Sequence, residues 1–174
     1  TRLVYDVNGN VLRRERGVTI EGVLVNAVTT SAYDAPGNET SRIDPDGVRR
    51  DASFVDRMPV SLIVDPSGLN LVTSFAFDAR QQLTATTDPA GRTASFTYDA
   101  QGGLTSATLP GLGALQFTSD TKGLPVEARN ALGARVARTW DALGRVVREE
   151  VFDAGDALLS RVDFGYDANG NKTS

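Results

Sequence analysis

Thr87-Asp88-Pro89-Ala90-Gly91-Arg92-Thr93-Ala94-Ser95-Phe96-Thr97-Tyr98-Asp99-Ala100-Gln101-Gly102-Gly103-Leu104 reads as turn, strand, turn. Asp88, Pro89 and Gly91 take the first, second and fourth places of a type I turn. Aspartate can accept a bond from its own backbone two residues on, proline presets φ, and glycine accepts a positive φ. Asp99-Ala100-Gln101-Gly102 has the same layout without the proline. Between the turns the chain alternates. Ala94, Phe96 and Tyr98 share one face and Thr93, Ser95 and Thr97 the other, a pattern of strand-favouring residues. A type I turn followed by a left-handed glycine is a common hairpin loop with a bulge. The unit therefore predicts antiparallel hairpins that begin again at each Asp-x-x-Gly.

Outward from this stretch the same signs recur. An aromatic-Asp marker stands at Tyr5-Asp6 (with Gly9), Tyr33-Asp34 (Gly37), Phe77-Asp78, Tyr98-Asp99 (Gly102), Trp140-Asp141 (Gly144) and Tyr166-Asp167 (Gly170). Blurred copies fall at Phe54-Val55-Asp56 and Phe117-Thr118-Ser119-Asp120. A second marker stands at Asp44-Pro45-Asp46-Gly47, Asp65-Pro66-Ser67-Gly68 and Asp88-Pro89-Ala90-Gly91. It continues more weakly at Leu109-Pro110-Gly111, Asn130-Ala131-Leu132-Gly133 and Asp153-Ala154-Gly155. Asp44 to Asp65 is 21 residues, Asp65 to Asp88 is 23, Phe77 to Tyr98 is 21 and Phe117 to Trp140 is 23. A period of about 22 residues holds two turns and two strands of ordinary length. The two series interleave, so one hairpin per repeat is expected, with turns alternating between the edges of a ribbon.

The fold class expected is all-β: a single array over residues 1–174, with about seven hairpins and about 14 strands in a curved ribbon. Tyr5 to Tyr33 is 28 residues, and Gly17-Val18-Thr19-Ile20-Glu21-Gly22 is expected to lengthen that connection. Trp140 to Tyr166 is 26, with the extra residues expected near Asp153 to Asp156, because insertions disturb least at turns. Val136, Trp140, Leu143, Val147 and Val151 recur at helical spacing. The strand reading is preferred, because Gly133, Gly144 and Gly155 interrupt that stretch every 11 residues, in phase with the upstream turns. In the last strand Leu158, Val162, Phe164 and Tyr166 share a face opposite Arg161 and Asp163.

Composition narrows the function classes. Hydrophobic residues make up 40% and charged residues 23%, which argues against global disorder. The net charge of −4 disfavours nucleic acid or an anionic membrane as the main partner. There is no cysteine and no histidine, so thiolate chemistry is excluded and the commonest general base and metal ligand are missing. No apolar run approaches the ~20 residues of a membrane helix. Thr1 stands just ahead of the first marker, and Tyr166 to Asn171 is a turn without a returning strand. The chain is therefore expected to be one piece of a longer array, pairing with further repeats or with itself through exposed ribbon edges.

Tyr-Asp-x-x-Gly turns followed by strands on this period resemble the YD-repeat, or Rhs-repeat, family. The best copies are Tyr5-Asp6-Val7-Asn8-Gly9-Asn10, Tyr98-Asp99-Ala100-Gln101-Gly102, Trp140-Asp141-Ala142-Leu143-Gly144-Arg145 and Tyr166-Asp167-Ala168-Asn169-Gly170-Asn171. The resemblance implies a ribbon spiralling into a hollow β-shell. In bacterial Rhs proteins and the third component of Tc toxins such a shell houses a C-terminal toxin, and in teneurins a similar shell serves adhesion. It also implies a secreted, translocated or surface-displayed protein and a possible encapsulated effector as partner.

Several residue sets invite chemistry and read better as architecture. Nearly every aspartate stands where a type I turn wants one. Asp6, Asn8 and Asn10, like Asp167, Asn169 and Asn171, mimic the start of a calcium loop. Val11 and Gly17 occupy the places where an EF-hand needs Gly and Glu. Asp65-Pro66-Ser67-Gly68-Leu69 looks like the self-cleavage element that ends many Rhs shells, but it lies mid-chain in repeat register. The aromatics could line a sugar site, yet packing between successive repeats is the simpler use. Arg135, Arg138, Arg145 and Arg148 are interleaved with Asp141, Glu149 and Glu150, as on a solvated face. No catalytic, metal or cofactor site is expected. The function expected is a structural shell segment without catalysis, and the competing reading is an adhesin or filament module that grips glycan or protein.

Overall fold

The computed structural model describes residues 1–173, and among them there is no α-helix. Two compact units divide the chain, Thr1–Arg92 and Thr93–Ser174. The first holds β1 (Arg2–Tyr5), β2 (Val11–Ile20), β3 (Val23–Tyr33), β4 (Glu39–Ile43), β5 (Arg49–Val55), β6 (Met58–Val64), β7 (Leu71–Phe77) and β8 (Leu83–Thr87). The second holds β9 (Thr93–Tyr98), β10 (Leu104–Leu109), β11 (Gly113–Ser119), β12 (Pro125–Arg129), β13 (Arg135–Trp140), β14 (Val146–Phe152) and β15 (Leu158–Asp163). Within each unit every strand lies antiparallel beside its neighbours in sequence. The described residues thus form runs of hairpins with 15 strands. Arg135 to Val151 is two of them, joined by a turn at Asp141 to Arg145.

The turn chemistry sets this plan. At Asp88 the Gly91 N–H donates to the Asp88 carbonyl at 2.9 Å, and the Asp88 N–H donates to the Arg92 carbonyl at 3.0 Å. Gly91 has φ +77°, the left-handed residue that turns a type I corner into the twist of a hairpin. On the edge carrying the aromatic-Asp marker, the strand ladder slips beside the turn. Register shifts fall at Val4/Tyr5, Ala32/Tyr33, Ala76/Phe77, Thr118/Ser119 and Thr139/Trp140. The extra residue of each slip, Leu12, Thr40, Thr84, Val126 or Val147, lies on the strand after the turn, beside the residue that precedes the aspartate.

In the second unit the register sorts the side chains. Phe96, Ala107, Leu115, Phe117, Ala128, Val136 and Val151 face one another across successive strands. Thr97, Ser106, Gln116, Glu127 and Arg129 lie on the opposite face. Only Ala94 and Ala107 among the described hydrophobic residues are buried, as expected where one sheet layer packs mainly along itself.

The structure corrects several local expectations. The extra residues at 17–22 do not make a longer loop. They lengthen β2 and β3, which pair from Arg13↔Thr30 to Ile20↔Val23 and reverse over Glu21 and Gly22, both at positive φ. Pairing satisfies the added backbone groups, which a long loop would leave to water. The extra residues between Trp140 and Tyr166 likewise fall outside the turn, which stays compact, with Asp156 N–H bonded to the Asp153 carbonyl at 3.2 Å. There the left-handed place belongs to Asp156, φ 62°, and not to Gly155. The blurred copy at Phe54 is a two-residue turn with Asp56 and Arg57 both at positive φ, and Val55 opposite Met58. Asp65-Pro66-Ser67-Gly68 is no copy of the Asp88 turn, because its left-handed residues are Asp65 (φ 53°) and Asn70 (φ 48°). In the last strand the slip at Val151/Phe152 sets Leu158 against Phe152 and Val162 against Glu149, on opposite faces of β14, so Leu158 and Val162 do not share a face. Leu158, Leu159 and Val162 are exposed, and β14 is the only flanking strand among the described residues.

Candidate functional site

The turns along the marker edge carry a recurring set of polar contacts. Asp6 Oδ1 accepts the N–H groups of Asn8 at 2.9 Å and Asn10 at 2.8 Å, and its Oδ2 accepts the Asn10 side-chain amide at 2.8 Å. Asp167 repeats this with Asn169 and Asn171. Asp34 bonds the backbone and side chain of Asn38. Asp141 bonds the Leu143 N–H and both the backbone and the guanidinium of Arg145. Asp88, on the opposite edge, does the same with Ala90 and Arg92. Asp78, Asp99 and Asp120 make the backbone bonds at i+2 and i+4. The motif is therefore Asp-x-x-Gly followed by Asn or Arg. That fifth residue, which reasoning from turn types alone passes over, was visible at Asn10, Asn38, Arg92, Arg145 and Asn171.

At Asp6, Asp34, Asp88, Asp141 and Asp167 these bonds hold the carboxyl below the usual carboxylate range. The amide of Asn10 lowers Asp6, that of Asn38 lowers Asp34, and that of Asn171 lowers Asp167. The Arg92 guanidinium lowers Asp88, and the Arg145 backbone, then its side chain, lowers Asp141. Donors already surround the oxygens that a calcium loop would offer at Asp6 and Asp167. Among the described residues, no group of three or more acidic, His or Cys side chains gathers to hold a metal.

The remaining marker residues are placed as follows. Gly9, Gly37, Gly102, Gly144 and Gly170 each donate their N–H to the carbonyl of the aspartate three residues earlier. Gly47 does so to Asp44, whose carboxylate instead pairs with Arg42 at 3.1 Å and with Arg50, two arginines directly opposite each other. Pro45, Pro66 and Pro89 each follow the aspartate of their loop. Gly68 lies under the Asp65 carboxylate.

The aromatics have a role that the sequence reading did not assign. Tyr33 Oη donates to the Val11 carbonyl at 3.2 Å, Trp140 Nε1 to the Pro125 carbonyl at 2.9 Å, and Tyr166 Oη to the Val146 carbonyl at 2.8 Å. Val11, Pro125 and Val146 each open the strand after the preceding turn on that edge. Each clasp therefore ties one turn back to the one before it. Phe77 keeps the ring without the donor.

The arginines divide between the faces. Arg135 bonds Asp156 at 2.9 Å and Glu127 at 3.5 Å and lies 3.7 Å over the Phe152 ring, while Arg129 meets Glu127 at 3.2 Å. Arg148 pairs with Asp163 at 2.7 Å on that side, and Arg138 with Glu149 at 2.8 Å on the other. Such paired charges order a surface and present no cationic patch for phosphate.

The comparisons agree with this geometry. Residues 77–112 match the RHS Repeat family. No curated protein matches the chain at a significant level. The crystal structure of TcdB2-TccC3 without its hypervariable C-terminal region superposes with a TM-score of 0.72 at 16% identity, covering 97% of this chain and 11% of that one. TcdB2-TccC3 itself gives 0.72 at 15% identity over 97% of this chain and 11% of that one. The Tc holotoxin pore of Photorhabdus luminescens, with a mutated TccC3, gives 0.53 at 13% identity over 98% and 15%. At these identities the likeness is one of fold. The chain spans about a tenth of the length of the TcdB2-TccC3 chains, 11%.

Proposed function

We propose, with residues 77–112 an RHS repeat and turns of the same build before and after them, that this chain is a stretch of β-shell wall in a secreted or surface-displayed protein. The wall would enclose a C-terminal effector and would act by steric exclusion, without catalysis. The observation that carries this reading is the ribbon construction, in which each strand within a unit bonds its sequence neighbours and the aspartate turns close on their own backbone and carboxylate. Such a ribbon spends its polar groups on itself. The sequence offers no histidine to activate the serines and threonines of its faces. The superposition on TcdB2-TccC3 supports the same reading at the level of fold.

The test is limited proteolysis of the full-length protein that contains this array, followed by mass spectrometry of the segment C-terminal to the repeats. That segment should resist digestion until denaturant opens the array. Equal digestion before and after opening would overturn the wall reading. Binding of the isolated chain to a glycan panel would favour the adhesin reading in its place.

A further inference from the structure

The clasps show what belongs between two successive turns on the marker edge. Trp140 occupies the gap behind the Asp120 turn, Tyr166 the gap behind the Asp141 turn, and Tyr33 the gap behind the Asp6 turn. Each reaches the carbonyl of the first strand residue beyond the earlier turn. The fifth residue of that turn also helps to cover the ring, for Arg145 lies 4.4 Å over Tyr166.

At the Asp120 repeat both parts are missing. Ser119, the last residue of β11, stands where Trp140 ends β13, and Phe117 is displaced two residues inward along the same strand. Gly103 stands where Arg145 stands after Asp141. A groove of about 780 Å³ lies between the two turns, lined by Gln101, Gly102, Gly103, Ser119, Thr121 and Lys122. The other blurred marker behaves the same way. Val55 precedes Asp56, and a groove of about 540 Å³ lies there between Asp34 and Arg57. A groove thus lies beside each of these two turns, where the residue directly before the aspartate is not aromatic, with Phe54 lining the second.

We propose that the groove between Gly103 and Ser119 receives a tyrosine or tryptophan side chain presented by a partner polypeptide. The incoming ring takes the place that Trp140 takes one repeat later. Its N–H or O–H donates to the Leu104 carbonyl, the counterpart of the Pro125, Val146 and Val11 carbonyls. Lys122 at the rim supplies a cation for the ring face, as Lys172 does 3.8 Å from the Phe164 ring. The volume falls in the range of small-ligand sites, and the lining is polar throughout, with Asp99 and Asp120 on it and the Asp99 carboxylate lying over Gly103. This inference does not depend on the wall reading, because it uses only the spacing of turns within the second unit.

The test is a titration of the isotope-labelled 174-residue chain with capped Gly-Trp-Gly and, as control, capped Gly-Leu-Gly, read by amide chemical shifts. The tryptophan peptide should give saturable shifts at Gly102, Gly103 and Lys122, and the leucine peptide should bind ~tenfold more weakly. Ser119→Trp, which fills the groove from within, should abolish those shifts. No shifts at these residues, equal shifts with the leucine peptide, or unchanged binding in Ser119→Trp would each overturn the proposal. Should Ser119→Trp not fold, contacts between the indole protons and the Gly103 α-protons in the unaltered protein decide: their presence supports the site and their absence sinks it.

Discussion

The Tyr166 hydroxyl donates to the Val146 carbonyl at 2.8 Å, joining residues 20 apart in sequence across the turn edge. Tyr166→Phe removes that donor and leaves the ring beneath Arg145. Loss of one such bond should lower stability by about 1 kcal/mol. Urea denaturation of the two proteins measures it. Tyr33→Phe, whose bond to Val11 is longer at 3.2 Å, should cost less. Equal stabilities of Tyr166→Phe and the parent would mean that ring packing alone does the clasping.

The left-handed turn position offers a test with opposite signs. Gly91 has φ +77° with open space where a Cβ would stand, so Gly91→Ala meets only a conformational penalty, about 1 kcal/mol. Gln81 holds the same place in the Asp78 turn at φ 65°, with its N–H bonded to the Asp78 carbonyl at 3.0 Å. Gln81→Gly should therefore stabilise the chain by ~0.5 kcal/mol, the relief of strain less the greater freedom of unfolded glycine. Thermal melts of both variants should move in opposite directions.

The turn carboxylates make stability sensitive to acid. Asp6, Asp34, Asp88, Asp141 and Asp167 are all lowered by the bonds they accept. A group whose folded value is depressed contributes fully above its unfolded value, about 3.9, and loses that contribution as pH falls through the folded value. Stability should hold from neutral pH down to about 4 and then decline. Asp88→Asn keeps an oxygen for the Ala90 and Arg92 amides and removes the charge that faces Arg92. Its deficit should be present at neutral pH and shrink towards zero in acid, which denaturation curves across pH will read.

Much of this fold was legible because turns announce themselves locally. Asp88, Pro89 and Gly91 carry their φ preferences and their side-chain acceptor within four residues, and the hairpin follows. The same logic set Gly133 and Gly144 against a helix through Val136 and Val151, and those residues lie on two strands. Where the reading failed, two different backbones satisfy one string. Asp65-Pro66-Ser67-Gly68 and Asp88-Pro89-Ala90-Gly91 share their spaced residues, yet Asn70 captures the left-handed place in the first. The clasps were hidden for another reason. Tyr166 and Val146 are brought together by a register and a bulge, neither of which is written in the spacing of aromatics.

The β2–β3 hairpin should be the least protected part of the first unit. β1 pairs with β2 only as far as Glu15, and β4 pairs with β3 only from Thr30 onward. Between those limits the hairpin is two strands wide, with Ile20 58% and Val23 63% exposed. A two-stranded ribbon is marginal in water. Amide exchange at Val18 to Val25 should be faster than at Leu62 to Val64, which sit between flanking strands on both sides. Matching protection in the two segments would show that something else covers the hairpin.

Gly68 supplies a case where glycine is needed for space and not for φ. Asp65 sits at φ 53°, its carbonyl accepts the N–H groups of Gly68 at 3.1 Å and Asn70 at 2.8 Å, and its Oδ2 accepts the Leu69 N–H at 2.9 Å. This folds the carboxylate back over Gly68, where an added Cβ would stand 2.7 Å from the Asp65 Cγ. Gly68→Ala must expel the carboxylate, at about 1–2 kcal/mol, although its backbone angles suit alanine. In an Asp65→Ala background the obstruction is gone, so Gly68→Ala should cost less there by about 1 kcal/mol. Thermal denaturation of the four proteins of this cycle measures the coupling. Additive costs would mean that the Asp65 side chain does not hold this loop, leaving the carbonyl bonds to Gly68 and Asn70 to set it.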